Sequence, residues 1–83
     1  TALMFACENG YEEIVKMLKD AGANLDIQDK WGNTALMDAY VNGYEEIATL
    51  LIKAGANLDI QDKNKETALM FACYYGHLNS RTA

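Results

Sequence analysis

Thr1-Ala-Leu-Met-Phe-Ala-Cys7 returns as Thr34-Ala-Leu-Met-Asp-Ala-Tyr40 and again as Thr67-Ala-Leu-Met-Phe-Ala-Cys73. Each return comes after 33 residues. Two further phrases keep this register: Asn-Gly-Tyr-Glu-Glu-Ile at 9–14 and 42–47, and Ala-Gly-Ala-Asn-Leu-Asp-Ile-Gln-Asp-Lys at 21–30 and 54–63. A fixed period of this length marks one supersecondary unit stacked on copies of itself, each touching its nearest neighbours. The expected fold is an all-α solenoid, a single array over residues 1–83. Its first copy spans 1–33, its second 34–66 and a truncated third 67–83.

The second copy shows how one unit is built. Thr34 is a good N-cap, its hydroxyl placed to accept an orphan N–H at a helix start. The helix it opens runs from Ala35 to about Asn42, with Leu36 and Ala39 facing inward, and Gly43 ends it. Tyr44-Glu45-Glu46 opens a second helix with two carboxylates at the positive end of its dipole. Ile47, Leu50, Leu51 and Ala54 fall at i, i+3, i+4 and i+7 and predict one buried stripe; Ile14, Met17, Leu18 and Ala21 do the same in the first copy. Gly22 and Gly55 stop these helices. Leu58 and Ile60 then alternate with polar residues and predict an extended segment leading to a hairpin tip.

The period, the Thr-Ala-Leu-Met openings, the Gly between helices, the Met-Leu or Leu-Leu pair and the Ala-Gly-Ala-Asn-Leu ending together resemble the ankyrin repeat. The resemblance covers essentially residues 1–76. It implies L-shaped units whose helices stack into a curved layer, with hairpin tips projecting at roughly right angles. It also implies a concave groove, lined by first helices and tips, that holds other proteins. The chain departs from the family's usual Thr-Pro-Leu-His opening. Ala2, Ala35 and Ala68 replace the Pro, and Met4, Met37 and Met70 replace the imidazole with a flexible apolar plug. At the tips, Gly32 stands where a positive φ is useful, whereas Lys65 takes that place in the next copy. Lys65 should cost about 1 kcal/mol there and leave the second tip looser.

Composition narrows the function. A chain of 83 residues with 51% hydrophobic and 23% charged residues fits one small globular domain. A net charge of −5 disfavours nucleic acid, whose phosphates require a basic stripe, and equally disfavours anionic membranes. No apolar run approaches the ~20 residues of a membrane span. Cys7 and Cys73 share one slot two stacking steps apart, so at about 10 Å per step they lie too far apart for a disulfide. Both read as mostly buried thiols of a reducing compartment, which places the chain in the cytoplasm. The third copy stops before a second helix, so the chain is expected to be a fragment of a longer array, or to rely on another chain to cover Leu69, Met70 and Ala72. Self-association through uncapped ends follows from the same reading.

Differences between the copies locate the message. They gather on the exposed part of the first helices (Phe5/Asp38/Phe71, Cys7/Tyr40/Cys73, Glu8/Val41/Tyr74, Asn9/Asn42/Tyr75) and at the tips (Trp31-Gly32-Asn33 against Asn64-Lys65-Glu66). Aromatics beside a few charges are the usual material of binding hot spots. The partner-binding candidates are therefore Trp31, Asn33, Phe5, Asp38, Tyr40, Val41, Asn64, Glu66, Phe71, Tyr74 and Tyr75, with a protein as partner. Trp31 leads, because a large aromatic on a turn has little structural reason to exist. The competing reading packs Phe5, Phe71 and Tyr40 against neighbouring helices.

No catalytic, cofactor or metal-binding residue is assigned. His77 lacks a relay partner. Glu12-Glu13 and Glu45-Glu46 suit helix starts, and Asp26, Asp29, Asp59 and Asp62 suit turns, where short carboxylates bond backbone N–H groups. The expected role is a non-enzymatic protein-interaction module; the alternatives are a structural or regulatory spacer of a larger protein and an engineered repeat scaffold.

Overall fold

The computed structural model describes residues 1–76, and the tail with His77 lies outside them. Its elements are α1 (Ala2–Asn9), α2 (Glu12–Asp20), α3 (Ala35–Val41), α4 (Glu45–Lys53), α5 (Ala68–Phe71) and a π-helical turn over Ala72–Gly76. The first helices form one layer, with α3 packed between α1 and α5, and α2 and α4 form a second. One core runs along the stack from Leu3, Met4, Ala6 and Cys7 through Leu36, Met37 and Ala39 to Ala68 and Phe71. This is the expected helical solenoid.

The helix starts follow the predicted chemistry and add to it. Thr34 Oγ1 accepts from the Met37 N–H at 3.4 Å, and the Thr34 N–H in turn donates to Met37 Sδ at 3.4 Å. Thr1 and Met4 form the same reciprocal pair, with the Thr1 ammonium 3.8 Å from Met4 Sδ. The methionine is thus more than an apolar plug: its soft sulfur takes the acceptor place of a capping box. Thr67 makes no such side-chain bond in the third copy.

The predicted stripe of the second helices holds only in part. In α4, Ile47 and Leu51 are buried and Leu50 packs against the core, but Ala54 is exposed beyond the helix end, and Ala48 completes the buried set. In α2 the buried residue is Val15; Ile14 and Met17 are exposed, at 44% and 68%, and Ala21 lies past the end. The repeat alone cannot distinguish them, because burial depends on whether a position faces the neighbouring second helix: α2 and α4 pack on each other, and Ile47 is buried while Ile14 is not. Leu69 and Met70 are exposed on α5, as expected, whereas Ala72 is half-buried.

The connectors contain no strand among the described residues. Each is instead a series of turns pinned by short side chains. Asp29 Oδ1 accepts from the N–H groups of Trp31 and Asn33, both at 2.9 Å, and Asp62 Oδ1 does the same for Asn64 and Glu66. Side-chain acceptors take donors that a strand ladder would otherwise use, which is why alternation at Leu58 and Ile60 does not yield a strand. Neighbouring connectors are tied together: Lys63 N–H donates to Trp31 O at 3.1 Å, Gln28 Nε2 to Gln61 O at 2.8 Å, and Asn57 N–H to Asp26 Oδ1 at 2.8 Å.

Lys65 does keep the left-handed conformation, at φ 63. It closes the same turn as Gly32, with its N–H on Asp62 O at 2.9 Å as Gly32 N–H is on Asp29 O. The tips differ in bracing. Gln28 Nε2 reaches Gly32 O at 2.8 Å, while the equivalent bond from Gln61 to Lys65 O is 3.5 Å long. Gly32 is also required by space, since a β-carbon there would lie 2.9 Å from Asp62 Cα and Lys63 N.

Both cysteines are free, as expected, but they are not alike. Cys7 is fully buried, and burial, with Asp38 and Glu8 nearby, pushes its thiol up to about 12. Cys73 is exposed, contrary to its reading as a mostly buried thiol. It follows Phe71 into the π-helical turn, which departs from the geometry that buries Cys7 on α1.

Candidate protein-binding face

The most exposed aromatic groups of the first half belong to Phe5 and Trp31, at 60% and 58% exposure. Phe5 projects from α1 and packs its ring against Tyr11, with centroids 6.2 Å apart. Tyr11 was not among the sequence candidates, because its place at a helix start reads as structural. Its equivalent Tyr44 does serve that role, its ring lying where a β-carbon on Gly10 would fall. Trp31 carries the Lys30 ammonium 4.5 Å from its ring centroid, a cation–π arrangement. Its backbone is held at both ends, by Asp29 Oδ1 at the N–H and by the Lys63 N–H at the carbonyl. An exposed indole thus stands on a fixed turn.

Asp38 occupies on α3 the position that Phe5 occupies on α1. Its side chain is half-buried, and its Oδ2 is sealed from solvent with no hydrogen-bond partner. Burial first, then the charges of Glu8 on α1 and Asp29 on the first tip, raise its carboxyl to about 7, against the pull of the Thr1 ammonium. Three acids from three different segments therefore converge electrostatically. The ion pairs found among the described residues lie elsewhere, on α2, between Lys16 and Glu12 or Glu13 and between Lys19 and Asp20.

Other candidates separate from this cluster. Val41 is exposed on α3, Asn33 is half-buried beside Trp31, and Asn64 and Glu66 stand at the second tip with their N–H groups committed to Asp62. Tyr74 and Tyr75 are exposed and meet edge-on at 6.4 Å. Phe71 is a correction: it is 8% exposed and belongs to the core with Leu36 and Met37. Its helical registry matches that of Phe5, with Phe71 N–H on Thr67 O as Phe5 N–H is on Thr1 O, so the difference lies in what surrounds the ring: Phe71 joins the core and meets Tyr75 at 6.0 Å. Tyr40 is half-buried. It packs against the core, and burial together with Glu45 on α4 raises its phenol.

Two hollows lie on the second helices, and neither is lined by Phe5 or Trp31. One of about 450 Å³ is lined by Glu12, Glu45, Glu46, Thr49, Leu50 and Lys53. The other, of about 340 Å³, lies around Gly10, Gly43 and Tyr44 and shares the three glutamates. Among the described residues, no group of three or more His, Cys, Asp or Glu side chains could hold a metal ion. No described helix is long and apolar enough to cross a membrane.

Stacked helix pairs, joined by turns that bond from one unit to the next, define a helical repeat protein with a side-chain-bearing face along its first helices. The family model for ankyrin repeats, in three copies, matches residues 1–62. The chain belongs to the ankyrin repeat family, whose members are generally protein–protein interaction modules.

Proposed function

We propose that this chain is a non-enzymatic binding module that presents the first helices and hairpin tips, as a concave surface, to a segment of another protein. The supporting observation is Trp31: a 58% exposed indole on a turn whose backbone N–H and C=O are both bonded. Contact groups fixed before the partner arrives spare much of the ordering entropy of association. Phe5 and Val41 add apolar area, and Asp38 with Glu8 adds charge, around a tip held in place by its neighbour. The free thiols of Cys7 and Cys73 favour a reducing, cytoplasmic location.

Photo-cross-linking tests the assignment of the face. A benzoylphenylalanine placed at position 31 should trap partner protein from the native cell lysate, while the same group at position 49, on α4, should not. Equal trapping at both positions, or trapping at 49 alone, would remove the first-helix face from the reading.

A further inference from the structure

We infer that Asn9 and Asn42 are sites of spontaneous deamidation, restrained by the helix ends they close and released when such an end opens, and that the product cannot restore the closure. Each is followed by glycine, in the pairs Asn9-Gly10 and Asn42-Gly43; the third copy has Tyr75-Gly76 there and lacks the site. Glycine has no side chain to hinder its own nitrogen, which can therefore attack the asparagine Cγ. That N–Cγ bond closes a five-membered succinimide, and the side-chain nitrogen leaves as ammonia, carrying the proton that the glycine nitrogen gives up. Water then opens the ring at either carbonyl. One opening gives aspartate, the other an isoaspartate whose backbone runs through the side-chain methylene. One water enters, one ammonia leaves, and nothing is oxidised or reduced.

Both asparagines are exposed, so water reaches them, and what restrains the reaction is hydrogen bonding. Asn9 Nδ2 donates to Phe5 O and Asn42 Nδ2 to Asp38 O, each at 2.8 Å, which ties the leaving nitrogen to the last helical turn. The attacking nitrogen is engaged as well: Gly10 N–H bonds Ala6 O, and Gly43 N–H bonds Tyr40 O at 3.1 Å. With the glycines at φ 73 and 78, the next N–H groups complete the turn, Tyr11 on Ala6 O at 3.0 Å and Tyr44 on Ala39 O at 2.9 Å. Both reacting nitrogens thus point back into the helix, and attack requires its last turn to open. Such an opening breaks a few bonds at an exposed helix end, which is among the least costly forms of local unfolding.

The change runs one way. An aspartate at either place has no N–H to return to the helix carbonyl, and it puts negative charge at a helix C-terminus, where the dipole disfavours it. An isoaspartate lengthens the backbone inside the turn that Tyr11 or Tyr44 closes. These turns join α1 to α2 and α3 to α4, so each event loosens one helix pair and adds a charge to a chain already at −5.

The test incubates the folded chain at mildly alkaline pH beside unfolded references, synthetic peptides of residues 6–13 and 39–46. Peptide mass spectrometry reads the conversion of amide to acid at each position, and an isoaspartyl methyltransferase labels the isoaspartate. Products are expected at positions 9 and 42, forming at least roughly tenfold more slowly in the folded chain than in the peptides. Urea below the unfolding transition, monitored by circular dichroism, should speed both. Asn9→Gln and Asn42→Gln keep an amide but close a ring far less readily, so each should abolish product at its own position alone. Asn9→Asp and Asn42→Asp, which mimic one product, should each lower the urea midpoint. Reaction in the folded chain as fast as in the peptides overturns the inference, because the helix ends then restrain nothing. A folded chain that stays unchanged until it unfolds globally overturns it too, since no helix end then opens by itself. Asp variants as stable as the parent would show that the closure survives the product, against the inference.

Discussion

Gln28 donates its side-chain amide to the backbone carbonyl of Gln61, the residue that holds its own place one copy later, at 2.8 Å. The same amide nitrogen also reaches Gly32 O at 2.8 Å, so one side chain braces its own tip and ties it to the next. Replacing Gln28 with Ala removes both bonds at a partly exposed site, and we expect a loss of about 1 kcal/mol in urea unfolding. Replacing Gln61 should cost less, because its bond to Lys65 O is 3.5 Å long. Equal losses would show that the bracing does not differ between the tips.

The two residues that close the tips should respond in opposite directions. Lys65→Gly relieves a left-handed backbone in a residue with a β-carbon, offset by the greater freedom of glycine in the unfolded chain, for a net gain of roughly 0.5–1 kcal/mol. Gly32→Ala meets both a φ of 81 and backbone atoms of the next tip at 2.9 Å. It should lose about 2–3 kcal/mol. Thermal melts of both variants check the sign.

Asp38 gives the stability a defined dependence on pH. Its carboxyl is raised in the folded chain from 3.8 to about 7, so the folded state holds this proton more tightly than the unfolded one. Its contribution is fully present below the unfolded value and is lost as pH rises through about 7. Asp38→Asn should therefore flatten that decline and raise stability at about pH 8 by roughly 1 kcal/mol, a figure reduced because solvent screens part of the side chain. Chemical unfolding of parent and variant at several pH values between 4 and 8 measures the difference. Parallel curves would show that Asp38 titrates normally.

The cysteines should label in two phases. Cys73 is exposed and should react with a maleimide in the native protein within minutes, whereas Cys7 is fully buried with its thiol pushed up to about 12. Mass spectrometry should find one adduct under native conditions and a second only in denaturant. Rapid double labelling of the native chain would show that the α1–α3 contact opens readily.

The stacked architecture was legible because a period is a property of the chain itself, and the caps at Thr1 and Thr34 were legible because they use neighbours three residues away. What failed was inference by equivalence. Ile14 and Ile47 share a register position, yet one is exposed and the other buried, since burial depends on which helices lie alongside. Phe5 and Phe71 share another and also part, since Phe71 enters the core while Phe5 stays exposed. Trp31 was correctly read as an exposed tip residue. The charge crowding at Asp38 was only half visible: Glu8 and Asp38 both fall among the variable positions of the first helices, but Asp29 entered through the fold of the tip.

The tips are joined through the Trp31 carbonyl, the Lys63 amide and the Gln28 side chain, while the indole itself takes no part in the joint. The lettering of the tip can therefore be rewritten without loosening the binding of the book. Mutation at position 31 explores new vocabulary on an unchanged page, and a lineage of such chains could trade one client for another without first surrendering its shape.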